Sequence, residues 1–169
     1  MECSRNGSKG VAMSLERKPM VAVIGAGKCS KKLRDMAAKV GQHVAENGGV
    51  IVCGGMGGIM EGAARGAREA GGTTIGILPT DNKEDANEFI DYVIPTGFGE
   101  ARNIMVVRTA DAVVAFPGKY GTLSEMAFAL LAGKPVISVS AWKLGDEIRQ
   151  VADPLEAAKL AMELARKSE

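Results

Sequence analysis

Three cysteines, one histidine and an aromatic content of 4% leave this 169-residue chain poor in the side chains that build metal centres. Cys3, Cys29 and Cys53 form no CxxC pair and His43 stands alone, so the spacing argues against a structural zinc site and no metal is expected. An odd number of widely spaced cysteines fits a reducing compartment, which makes the expected location cytoplasmic, with Cys53 a small apolar residue of a buried strand. No apolar run approaches the ~18 residues of a membrane span. Residues 1–19 lack the continuous apolar stretch of a secretory signal and read as a disordered leader, with Met13 an alternative start. Neither sign of charge is in excess: 21 Lys and Arg against 20 Asp and Glu leave +1, too little to follow a nucleic-acid backbone or an anionic membrane. The expected partner is therefore a small molecule.

What the chain does have is 46% hydrophobic residues and 22 glycines, and from residue 20 onward their placement is regular. Short apolar runs alternate with longer amphipathic ones, as in βα units around a parallel sheet. The runs at 20–24, 50–53, 73–78, 89–94, 112–116 and 136–139 read as strands, with 148–151 a short seventh. Leu33, Met36, Ala37, Val40 and Val44 fall on one face of a helix over 30–46, closed by Asn47-Gly48-Gly49. Helices are also predicted over 58–70 and 100–108. The stripe Leu123, Met126, Ala127, Leu130 and Leu131 marks another, serving either the core or a dimer. Asp153, Pro154 and Glu156 combine an N-cap, a first-turn proline and an acid three residues after the cap, so a terminal helix begins there. Residues 79–88 form a polar loop, a lid or rim. The expectation is one α/β domain over 20–169, a Rossmann-like open parallel sheet of six or seven strands flanked by helices on both faces.

In such a sheet the ligand crevice lies beyond the carboxyl ends of the strands. After the first strand, Gly25-Ala26-Gly27-Lys28-Cys29-Ser30 opens a helix and offers Gly25 and Gly27 to an anion, or is simply a tight turn. It reads GxGxxS, and Gly54 and Gly55 stand where a dinucleotide enzyme needs a ribose-binding acid, so no NAD site is expected. After the second strand, Gly54, Gly55, Gly57 and Gly58, followed by Met60, point to close backbone approach to a phosphate; no GK[ST] follows, so this is not a Walker loop. Arg102 falls near the start of a helix and is suited to bidentate phosphate contact, the alternative being a solvated surface arginine. In Pro117-Gly118-Lys119-Tyr120-Gly121-Thr122-Leu123-Ser124-Glu125, the T-x-x-E spacing predicts a capping box from Thr122 to Glu125. Glu125 is expected to stay ionised near the helix dipole, where it would also serve glycosidic cleavage by stabilising an oxocarbenium-like transition state or orienting a water.

These stretches resemble the LONELY GUY family of cytokinin-activating phosphoribohydrolases, often labelled possible lysine decarboxylases. Its PGGxGTxxE signature matches Pro117, Gly118, Gly121, Thr122 and Glu125, and its GGxxGLM stretch resembles residues 54–60. The resemblance implies a homodimer that hydrolyses the N-glycosidic bond of a nucleoside 5′-monophosphate. Glu125 would be the catalytic carboxylate and Arg102 its assistant, with Gly54, Gly55, Gly57, Gly58, Gly121 and Thr122 on the phosphate. Gly25, Gly27, Met60, Gly118 and Lys119 complete the candidate site. Two departures stand out: the family's MHxRK is here Gly99-Glu100-Ala101-Arg102-Asn103, and Lys119 replaces a glycine of PGG. Residues 99–112 look closer to a sister branch that includes molybdenum-cofactor carrier proteins, which implies a non-enzymatic carrier of a phosphorylated pterin or nucleotide. No bound cofactor of its own is expected, and no lysine in this pattern supports pyridoxal-dependent decarboxylation. A module that kept the fold and lost the ligand is the third reading.

Overall fold

A computed structural model of the chain describes residues 17–167, so residues 1–16 of the expected leader lie outside it. Seven strands run in parallel: β1 (Met20–Ile24), β2 (Val50–Cys53), β3 (Thr73–Leu78), β4 (Tyr92–Pro95), β5 (Ala112–Ala115), β6 (Val136–Val139) and β7 (Arg149–Val151). Their order across the sheet is β4-β3-β2-β1-β5-β6-β7. Five helices connect or follow them: α1 (Lys31–Glu46), α2 (Ile59–Glu69), α3 (Asn103–Thr109), α4 (Tyr120–Leu131) and α5 (Pro154–Lys167). The chain winds outward from β1 to β4, then returns to lay β5 on the other side of β1. That reversal opens a crevice above the carboxyl ends of β1 and β5.

Strand burial on both faces explains the continuous apolar runs. Val21 and Val23 enter one core with residues of α1, α2 and α5, while Ala22 and Ile24 enter a second with residues of α3 and α4. Helix ends follow their caps: Ser30 Oγ accepts from the Leu33 amide at 3.3 Å, and Asp153 Oδ2 accepts from the Glu156 amide at 2.9 Å. Among the described residues no helix is long and apolar enough to cross a membrane.

The fourth strand begins later than its apolar run predicts. Asn87 Oδ1 takes the Phe89 amide and Thr74 Oγ1 takes the Asp91 amide, so local side chains claim donors a strand would give to its neighbour. Phe89 instead packs beside Cys53, Met60 and Ile90. The helix predicted over 100–108 is also divided, into a 3₁₀ turn at Gly99–Arg102 and then α3. Of the predicted α4 stripe, Met126 is fully buried whereas Leu131 is 84% exposed.

Helices α1 and α2 meet backbone to backbone. A β-carbon on Gly66 would collide with the Ala38 carbonyl, and one on Gly41 with the Ala63 carbonyl. Gly66→Ala is therefore expected to cost about 2–3 kcal/mol by overpacking, seen as a lower urea midpoint at unchanged slope.

Candidate functional site

The loops leaving β1 and β5 are tied to each other and to α2. The Ala26 amide donates to the Pro117 carbonyl at 3.1 Å, and the Ile59 amide donates to the Ala26 carbonyl at 3.0 Å. Above them lies a cavity of about 720 Å³ walled by the β1–α1 loop, the β2–α2 loop, the 3₁₀ turn before α3 and the start of α4. Gly25, Gly27, Gly57, Met60, Arg102, Lys119, Gly121, Thr122 and Glu125 all face it.

The other glycines of the predicted cradle do not line the cavity, and each is explained by protein packed against it. A β-carbon on Gly54 would strike the Arg102 guanidinium, and one on Gly118 would strike Thr122 Oγ1. Gly55 has φ +74° beneath Leu78, and Gly58 has φ +67° against the Ala26 carbonyl. These glycines let neighbouring elements close on one another, and so allow Arg102 to reach the crevice.

Arg102 is 7% exposed, and its Nε and Nη1 have no hydrogen-bond partner among the described residues. Burial lowers its pKa from the ordinary arginine value, opposed by the charges of Glu125 and Glu100. Glu125 is likewise 7% exposed. Burial pushes its carboxyl up to about 8, with the Arg102 charge pulling down and the Glu100 charge adding to the rise.

Two expectations for this carboxylate are corrected. Helix α4 begins at Tyr120 with Lys119 at its N-cap and no side-chain cap, so Thr122 and Glu125 form no capping box. Glu125 thus lies in the second turn, where desolvation outweighs the helix dipole, and it is mostly neutral rather than ionised at pH 7. With no capping side chain, the first-turn amides of Tyr120, Gly121 and Thr122 are left without an intrahelical acceptor; the first such bond runs from the Leu123 amide to the Lys119 carbonyl.

Asn103 holds this helix start in place. Its Nδ2 donates to Ser124 Oγ at 3.1 Å and lies 3.5 Å from the Gly121 carbonyl and 3.4 Å from Glu100 Oε2. Glu100, Asn103, Lys28, Met56 and Pro79 also line the cavity, and none was a predicted site residue. For Glu100 and Asn103 the available signal was their position inside the departed MHxRK segment. Only Pro79 of the expected polar lid reaches the cavity wall.

Cys53 lies behind this wall, fully buried, with its thiol against the Met60 carbonyl and its sulfur accepting from the Gly55 amide. Burial raises it to about 11, the thiol of a structural residue rather than a nucleophile.

Comparison with known proteins places the chain among proteins of this architecture. The family described as LDcluster4, SLOG cluster4 family, matches residues 18–167. The molybdenum cofactor binding protein of the phototrophic bacterium Rippkaea orientalis is 35% identical with a TM-score of 0.79, covering 86% of this chain and 96% of that one. The Moco carrier protein of Chlamydomonas reinhardtii is 32% identical with a TM-score of 0.80, covering 89% and 99%. A cytokinin riboside 5′-monophosphate phosphoribohydrolase of Mycobacterium tuberculosis is 33% identical over 131 residues, 70% of this chain and 68% of that protein.

Proposed function

Since the chain belongs to the SLOG cluster4 family, we propose that it binds and carries a phosphorylated heterocycle, a pterin phosphate of the molybdenum-cofactor kind or a nucleoside monophosphate. One observation carries this reading: Arg102 lines the cavity, and its buried guanidinium has no partner at Nε and Nη1 among the described residues. An uncompensated buried cation is costly, and an anionic ligand offsets that cost through charge-assisted hydrogen bonds. Lys119 and the first-turn amides of α4 supply further donors for the same phosphate. Among the described residues no group of three His, Cys, Asp or Glu is placed to hold a metal. A metal-bearing cargo is accordingly held here through its phosphate and ring. The two molybdenum-cofactor proteins align over nearly their whole length, which favours carriage over turnover.

Adding a phosphorylated ligand at a hundredfold excess over its Kd is expected to raise the melting temperature by about 5–10 °C. Protein purified from cells should also release a fluorescent pterin or a nucleotide on denaturation. Absence of both effects removes the carrier.

Glu125 favours a second reading, hydrolysis of a nucleoside 5′-monophosphate. A carboxyl with a pKa of about 8 is largely protonated at neutral pH, so it is poised to give its proton to the departing base as the C1′–N bond breaks, and to take a proton back from the water that adds at C1′. Free base released from AMP above a Glu125→Ala control supports this; no release removes it. The homodimer implied by the resemblance belongs to the same proposal, with Leu131, 84% exposed at the end of α4, on its surface.

A further inference from the structure

Resting on the ligand reading above, we infer that Glu100 is the specificity-determining residue of the cavity and selects rings with two adjacent N–H donors, the 2-amino-4-oxo edge shared by guanine and pterins, over adenine.

The cavity lining carries charges of both signs. Arg102, Lys119 and the opening amides of α4 suit a phosphate, yet a second carboxylate, Glu100, lines the same space. A carboxylate is unfavourable beside an anionic ligand unless the ligand turns donors toward it. Glu100 has no ion pair among the described residues, and the one hydrogen bond it accepts there comes from Asn103 Nδ2 to Oε2 at 3.4 Å. Oε1 is therefore open to a ligand. The carboxylate is also held close to the α4 start: a β-carbon on Gly121 would lie 3.7 Å from Glu100 Oε2.

An ionised carboxylate is an acceptor at both oxygens. It pairs with the N1–H and 2-amino donors of guanine, or with the equivalent pair of a pterin. Adenine presents an acceptor at N1 beside its 6-amino group, so one of its two contacts with a carboxylate is repulsive. Glutamine has the complementary donor and acceptor for adenine. The substitution of one for the other therefore changes which base is preferred.

Isothermal titration of the full chain with GMP, IMP and AMP tests this. Affinity is expected to fall in that order, with GMP about tenfold or more tighter than AMP, because an unpaired polar contact is penalised more than a missing apolar one. In Glu100→Gln the order should reverse or level, which a merely structural role for Glu100 does not produce. Glu100→Ala, at an exposed side chain, should bind all three with similar affinity. Equal binding of GMP and AMP by the wild type, or an unchanged preference in both variants, overturns the inference while leaving the phosphate site intact. If GMP, AMP and inorganic phosphate all fail to bind, the phosphate site itself falls and the inference with it.

Discussion

Arg102→Met is expected to raise the melting temperature of the ligand-free protein and to weaken anion binding sharply. The guanidinium is buried against Gly54, and its Nε and Nη1 lack partners. The charge is thus desolvated without full compensation, a cost carried by the free protein. Methionine fills similar space without a charge to desolvate, and its flexible thioether adapts to the irregular wall. A gain of about 1–3 kcal/mol in the free state is expected, with affinity for a phosphorylated ligand reduced about a hundredfold or more. Urea denaturation and isothermal titration of the same two proteins measure both quantities. A variant that is less stable and still binds would show Arg102 to be a structural cation instead.

The second large effect is the pH dependence of stability set by Glu125. Its ordinary value is 4.5 and its folded value about 8, so between these the folded chain holds a proton that the unfolded chain has released. The stability tied to that proton is fully present below pH 4.5 and is lost as pH rises through 8. Each tenfold change in proton affinity is worth about 1.4 kcal/mol, so the loss amounts to a few kcal/mol. Glu125→Gln keeps the shape and removes the ionisation. Its stability should match the wild type near pH 5 and exceed it at pH 9, with a flatter profile between. Parallel profiles for the two proteins would show that Glu125 does not carry the proton. The same ionisation places a negative charge beside Arg102, so wild-type affinity for a phosphorylated ligand is also expected to weaken above pH 8, and that of Glu125→Gln to weaken less.

How well the sequence anticipated the fold varied with the locality of the signal. The strands at Met20–Ile24, Thr73–Leu78 and Val136–Val139 coincide with their apolar runs, because buried parallel strands need little beyond continuous apolar side chains. The strand predicted from residue 89 starts at Tyr92, because Asn87 and Thr74 claim the Phe89 and Asp91 amides, and Thr74 is brought there from another strand. The Thr122–Glu125 box failed for a similar reason: the spacing fits a cap, but the chain enters α4 three residues earlier, held by contacts of Gly118 and Asn103 that span distant segments.

Chain chemistry alone established the alternation of strands and helices, the parallel sheet with its crevice beyond the strand ends, and the glycine-rich stretches with Arg102 and Glu125 nearby. These rest on periodicity and on residue types, which are properties of neighbours in sequence. Packing established which glycines make room for protein and which border the cavity, that Arg102 is buried short of partners, that burial pushes the Glu125 carboxyl up to about 8, and that Glu100 faces the same space. Desolvation and charge proximity depend on what the folded chain brings together from residues 25 to 125, and no spacing along the sequence encodes the depth at which a carboxyl is buried.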